Sequence, residues 1–195
     1  MFQQNLGGMI LLSHTFLELD PGESKVITVV FVALSQTGIF TGKIIIGTKA
    51  VFVALNIRTK LLLFDSNIVV LNRDYLVKQG DKLKTEITLI PLGDPNRLDV
   101  RLDYVIKNFD NKTFLTHSET LLVEEEIKFR RDFDTGILPV GSYIVGLELI
   151  YPNGVAPSSA SFEVTKRTPF SFGGFLFYFI MFILIIKILK LLKRN

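Results

Sequence analysis

No cysteine occurs among the 195 residues, which removes disulfides, thiol nucleophiles and thiolate metal sites together. That absence says nothing about compartment, because a domain of about 100 residues buries enough core without cross-links. Histidine is scarce as well: His14 and His117 stand far apart in the chain, and neither belongs to an HxH or HExxH spacing. Each therefore reads as an ordinary surface or packed residue rather than a ligand or base. No glycine-rich loop joins a strand to a helix and no GxSxG is present, so phosphate cradles and serine hydrolases of that type are excluded. The carboxylates Glu124, Glu125 and Glu126, with Asp132 and Asp134 nearby, supply hard oxygens for Ca²⁺ but lack a DxDxDG spacing. Three consecutive strand residues cannot share one face, so this cluster reads as a solvated edge. The sequence predicts no enzyme, no cofactor and no metal.

Net positive charge is missing from residues 61–165. Residues 1–60 carry five Lys/Arg against three Asp/Glu, residues 61–165 carry eleven against sixteen, and residues 166–195 carry six against none. The basic balance of the whole chain belongs to its C-terminal end. An acidic body without a clustered Lys/Arg face argues against a nucleic-acid partner, whose binding rests on phosphate neutralisation.

Charge is absent altogether from residues 170–186, a run dense in Phe, Ile and Leu. Continued to Leu192 with Lys187 and Lys190 snorkelling, a helix rising about 1.5 Å per residue covers a hydrocarbon core of about 30 Å. The sequence predicts one transmembrane helix over 170–192, after a linker at 166–169 and before a tail at 193–195. Lys166 and Arg167 precede the span, while Lys187, Lys190, Lys193 and Arg194 lie within or after it. The basic bias places the C-terminus in the cytoplasm and the rest of the chain outside a cell membrane. Gly173 and Gly174 lack the i, i+4 spacing of a helix-association motif.

What remains is β-patterned. In the first sixty residues Pro21-Gly22 suits a turn, and Lys25–Ala33, Lys43–Ile46 and Val51–Ile57 read as strands. Farther on, Leu83, Thr85, Ile87 and Leu89 alternate with Lys82, Lys84, Glu86 and Thr88. Leu98, Val100, Leu102, Tyr104 and Ile106 alternate with charged neighbours in the same way. A short strand is expected from Thr113 to His117, a longer one from Leu121 to Phe133, another from Ser142 to Tyr151, a turn at Pro152-Asn-Gly154 and a closing strand at Ala160–Val164. About seven short strands in roughly 100 residues describe an immunoglobulin-like antiparallel β-sandwich. The fold class is therefore all-β: a complete sandwich at 61–165, a partial one at 1–60, and the C-terminal transmembrane helix.

A repeat ties the two blocks. A shift of 98 positions lays Phe31 on Phe129 and Thr37-Gly38-Ile39 on Thr135-Gly136-Ile137; after one inserted residue, Gly42–Gly47 falls on Gly141–Gly146. Residues 25–57 thus correspond to the late strands of a sandwich. Met1–Leu12 has no positive n-region and too short an apolar run for a signal peptide. Together these suggest an upstream extension supplying both a signal and the early strands.

Leu138-Pro139-Val-Gly141-Ser-Tyr143-Ile-Val145, after a charged strand and before a hairpin, resembles the late strands of prokaryotic extracytoplasmic Ig-like domains of the adhesion and NEW3-like kind. With the C-terminal span, the chain resembles a membrane-anchored archaeal surface protein with tandem Ig-like domains. The resemblance implies a stalk, binding module or adhesin whose partner is a protein or a glycan, and it carries over no functional residue. Two alternatives are a tail-anchored cytosolic adaptor with a sperm-protein-like β-sandwich, which the missing signal peptide suits, and an accessory subunit of a membrane complex. One sequon, Asn111-Lys112-Thr113, falls in a turn where a glycan could be attached on an outside surface.

Overall fold

The computed structural model describes residues 2–4, 6–33, 35–60, 63–92 and 98–167. Its strands, in chain order, are β1 (Phe2–Gln4), β2 (Ile10–Leu12), β3 (Val29–Phe31), β4 (Gly38–Ile46), β5 (Lys49–Ile57), β6 (Phe64–Val70), β7 (Leu76–Lys78), β8 (Lys82–Pro91), β9 (Leu98–Asn108), β10 (Thr113–Val123), β11 (Ile127–Asp134), β12 (Gly141–Tyr151) and β13 (Gly154–Thr165). The chain is all-β over these residues. Among them no helix is long and apolar enough to cross a membrane, and the expected span at 170–192 lies outside them.

Strands β6 to β13 form a sandwich. One sheet runs β10-β9-β12-β13-β7 and the facing sheet β11-β8-β6. All neighbours are antiparallel except β7, which lies parallel to β13 and pairs Leu76 with Glu163. Alternation decides which side chains meet between the sheets. Leu83, Thr85, Ile87 and Leu89 of β8 face Val100, Leu102, Tyr104 and Ile106 of β9, all buried, while their neighbours in sequence turn to solvent or the opposite face. Thr85 is admitted to this core because its hydroxyl donates to the Arg131 carbonyl at 2.8 Å.

The Leu138–Val145 stretch folds as a corner. Tyr143 is buried near the start of β12 and its hydroxyl donates to the Pro139 carbonyl at 2.7 Å. A tyrosine tied back a few residues upstream marks the same corner in immunoglobulin-type sandwiches. The repeat places Ile44 at the matching position of the first block, where it is buried in a different core.

That first block has two small sheets, β1-β4-β5 and β2-β3. Between them lie Leu6, Met9, Ile10 and Ile44, flanked by Phe40, Val53, Leu55 and Ile57. The pairing of β3, β4 and β5 parallels that of β11, β12 and β13. In each block the middle strand sits between an earlier strand and its hairpin partner, and the first strand pairs in the other sheet. Val26, Val30 and Val32 stand exposed and Ile45 half-buried.

Several expected strand limits are corrected. Lys25–Ala33 contributes only Val29–Phe31 to a strand. No break separates Thr113–His117 from Leu121: β10 runs through to Val123, paired with β9 from Lys107 back to Leu98. The interruption falls at Glu124–Glu126, a run of a residue type disfavoured in strands, which forms the bend before β11. The closing strand begins at Gly154, six residues earlier than expected, because Pro152-Asn153 forms a tight turn that lets β13 pair with β12 along its whole length. Asn153 takes the left-handed conformation there, at φ 64°.

The β4–β5 hairpin lies across the outer face of the five-stranded sheet. Ile39 packs on Ile144 and Phe109. Its amide donates to Glu148 Oε1 at 3.1 Å, and its carbonyl accepts from Lys107 Nζ at 3.1 Å. Thr41 Oγ1 donates to the Asn108 carbonyl at 2.9 Å, and Lys43 pairs with Asp110 at 2.6 Å. Gly146 permits this approach: a Cβ there would stand 2.4 Å from Ile39 Cδ1 and 3.1 Å from Val105 Cγ1. β4 is therefore covered on both faces over its first part: Ile39 and Thr41 are buried against the sheet and Ile44 in the first block's core.

Candidate functional site

Where the hairpin crosses the sheet, it leaves a groove of about 580 Å³ on one side. The floor is the outer face of β12 and β13, where the register sets Ser142 opposite Glu163 and Ile144 opposite Ser161. One wall is β5. Because Val53, Leu55 and Ile57 turn into the first block's core, the alternate residues Phe52, Ala54 and Asn56 turn toward the groove. Phe52 is 52 % exposed, with its ring stacked on Phe109 at a centroid distance of 4.6 Å. Asn56 Oδ1 accepts from Ser159 Oγ at 3.0 Å, fixing this wall to the floor.

The opposite wall is the short turn of helix before β7, where Asp74 and Tyr75 both adopt left-handed backbone conformations, at φ 54° and 58°. The arrangement costs roughly 1–3 kcal/mol for each such residue, and for a bulky tyrosine it is an outlier. The turn is held by two backbone hydrogen bonds, from the Tyr75 amide to the Asn72 carbonyl at 3.0 Å and from the Leu76 amide to the Arg73 carbonyl. Tyr75 is 59 % exposed and lines the groove.

The lining carries two carboxylates, Asp74 and Glu163, and no lysine or arginine. Tyr143 reaches it from the core side; burial raises its phenol pKa, so the group stays a neutral donor to Pro139. A second depression of about 340 Å³ continues past Phe52 and Phe109, sharing Ser142 and Tyr143 with the groove and adding Lys43 and Asp110.

The residues singled out from sequence lie elsewhere. Asn111 sits exposed in the turn between β9 and β10, at φ 61°. Its tripeptide is held by Asn108, whose Oδ1 accepts from the Asp110 and Lys112 amides at 3.1 and 2.9 Å. Lys166 and Arg167 are exposed at the end of β13, and Lys187, Lys190, Lys193 and Arg194 lie outside the described residues. His14 takes part in an exposed contact with Ser13, while the His117 ring stacks on Tyr104 at 5.9 Å. Among the described residues no three His, Cys, Asp or Glu side chains are placed to hold a metal ion.

Sequence reasoning missed the groove because its walls come from segments about twenty residues apart and its floor from a third. One signal was available: Ser159, Ser161 and Glu163 alternate with core residues along β13, and Phe52 shares a face of β5 with Ala54 and Asn56, opposite Val53, Leu55 and Ile57.

No protein-family model matches the chain, and no curated protein matches it. Solved structures similar to part of it include the CARDB domain of a Pyrococcus furiosus protein in complex with di-metal ions. That domain is 13 % identical, with a TM-score of 0.40 over 52 % of this chain and 87 % of the domain. The C-terminal domain of Wzt is 14 % identical, with a TM-score of 0.44 over 58 % and 80 %. A family 123 glycoside hydrolase from Clostridium perfringens is 13 % identical, with a TM-score of 0.41 over 55 % and 28 %. No residue role is carried over from any of them.

Proposed function

We propose that the chain is a non-catalytic, membrane-anchored surface module of the prokaryotic, archaeal adhesion type, with its β-structure outside and its C-terminus in the cytoplasm. The groove between the β4–β5 hairpin and the β7 edge is its binding surface, and the sandwich beneath it is the support. The observation that carries this reading is the groove itself: Phe52 and the serine hydroxyls are held on paired strands and Tyr75 on the turn before β7, with a hairpin fastened by buried packing and five polar contacts. A binding surface needs such rigid support, since ordering it on ligand capture would cost affinity.

Anchoring rests on the uncharged run at 170–186 and the basic residues after it. β13 is paired to Thr165, and the span begins only a few residues later, so the sandwich is held close to the membrane. Asn111 is a glycan acceptor on this reading, exposed in a turn of the outward domain.

Carbonate extraction of membranes and protease treatment of intact cells test the proposal together. The protein is expected to resist extraction, and the β-structure to be digested from outside. Protection of the β-structure in intact cells assigns the chain instead to the cytosolic face, as a tail-anchored adaptor. Release by carbonate removes the anchor.

A further inference from the structure

We propose that the groove takes a neutral sugar chain, with Tyr75 and Phe52 as stacking platforms and Ser142, Ser161 and Glu163 as hydrogen-bonding partners for its hydroxyls. This rests on the reading of the groove as a binding surface and names the ligand class.

Tyr75 carries the argument furthest. Its backbone is in a conformation that Gly or Asn adopts at far lower cost. Among the described residues its ring makes no aromatic contact and its hydroxyl no hydrogen bond that would offset the strain within this chain. A strained residue that presents an open ring to a groove is placed for something that binds there. Phe52 is fixed from behind by Phe109 and offers its remaining surface from the opposite wall.

The lining selects among ligands. Two carboxylates and no lysine or arginine in the lining disfavour phosphate, sulfate and acidic sugars: the nearby cations, Arg73 at the rim and Lys43 in the continuation, are already paired with Asp74 at 3.5 Å and Asp110 at 2.6 Å, which leaves Glu163 to repel an anion. A wholly apolar ligand would leave Ser142, Ser161 and Glu163 desolvated and unpaired. A pyranose ring satisfies both sets of groups: its C–H face lies on the electron-rich face of an aromatic ring, and its hydroxyls donate to carboxylates and exchange hydrogen bonds with serines. The continuation of the groove past Phe52 gives room for a chain of several sugar units rather than one. A cationic peptide is the rival ligand the two carboxylates admit.

The test uses the full chain in phosphatidylcholine nanodiscs, which avoids sugar-headed detergents, with binding followed by saturation-transfer NMR. The probes are cellohexaose, mannohexaose and chitohexaose, with octalysine as the cationic peptide. At least one sugar is expected to bind with a Kd of about 10 µM to 1 mM. Tyr75→Asn and Phe52→Leu should each weaken it about 5- to 10-fold, and Ser161→Ala about 3-fold; the Tyr75 and Ser161 variants keep the melting temperature, whereas Phe52→Leu also lowers it by losing the stack on Phe109. Discs containing a neutral glycosyl-diacylglycerol separate sources: loss of soluble-sugar binding there assigns the site to membrane sugars, and unchanged binding assigns it to free or polymeric ones. Binding of octalysine alone, weakened by Asp74→Asn and Glu163→Gln, overturns the sugar assignment while keeping the groove as a binding surface. Sugar binding that ignores both ring substitutions overturns the site. No binding of any probe at about 10 mM, where even millimolar ligands saturate, overturns both the sugar and the groove.

Discussion

The carboxylate of Glu119 on β10 accepts two hydrogen bonds from the Arg131 guanidinium on β11, from Nε at 3.0 Å and from Nη2 at 2.8 Å. The two strands are edges of opposite sheets, so this pair closes the open side of the sandwich. Tyr104 donates to the same carboxylate from the core at 2.7 Å, and the guanidinium lies over the Phe129 ring at 4.8 Å. Bidentate geometry makes this pair stronger than a typical surface bridge, but both side chains are partly exposed, at 40 % and 24 %, and solvent screens it. Arg131→Ala is expected to cost about 1 kcal/mol in urea unfolding.

The same pair sets a pH dependence. Hydrogen bonding from Arg131, reinforced by Tyr104, holds the Glu119 carboxyl below the usual carboxylate range. A lowered folded-state pKa means the stabilisation is complete above the ordinary carboxylate value and is lost as pH falls through the folded one. Glu119→Gln should therefore destabilise at pH 7, and its difference from wild type should shrink as pH falls below the ordinary carboxylate range. An equal difference throughout contradicts the assignment.

Leu102→Ala removes a fully buried side chain from the centre of β9 and is expected to cost about 2–5 kcal/mol. Arg101→Ala beside it breaks only an exposed pair with Asp103 and should cost less than about 1 kcal/mol. Equal losses in denaturant unfolding would contradict the alternation, and a larger loss for Arg101→Ala than for Leu102→Ala would mean a one-residue error in register.

Gly146 tests the hairpin contact. Gly146→Val puts a branched side chain where Ile39 already lies, and overpacking of this kind costs about 1–3 kcal/mol. Residues 38–57 are expected to gain amide exchange while β8 and β9 keep their protection. Uniform loss of protection across both blocks contradicts a local contact.

Much of the complete sandwich was legible because its strands are wet on one face and dry on the other. Leu83 to Leu89 and Leu98 to Ile106 report that asymmetry directly in their alternation. The pattern fails where both faces are covered. Ile144 and Val145 are both buried, one under the hairpin and one in the core, and no period of two announces this. β7 escaped because three residues are too few for a period, and it is placed by its parallel pairing with β13. Tyr75 was illegible for a different reason: backbone conformation there is set by the turn, and a tyrosine gives no hint of a left-handed φ.

Tyr75→Asn separates stability from binding. Asn tolerates the left-handed conformation, so the variant should be as stable as wild type or more so, by up to about 1 kcal/mol. A drop in melting temperature would show that the ring supports the fold.

The absence of cysteine allows the most direct measurement of where the groove faces. Ser161→Cys places a single thiol on the exposed floor of β13. Intact cells expressing the full chain are treated with a membrane-impermeant maleimide, before or after permeabilisation, and labelled protein is counted by mass shift. An outward-facing groove predicts full labelling of intact cells, unchanged by permeabilisation; labelling that appears only once the membrane is opened contradicts a surface module.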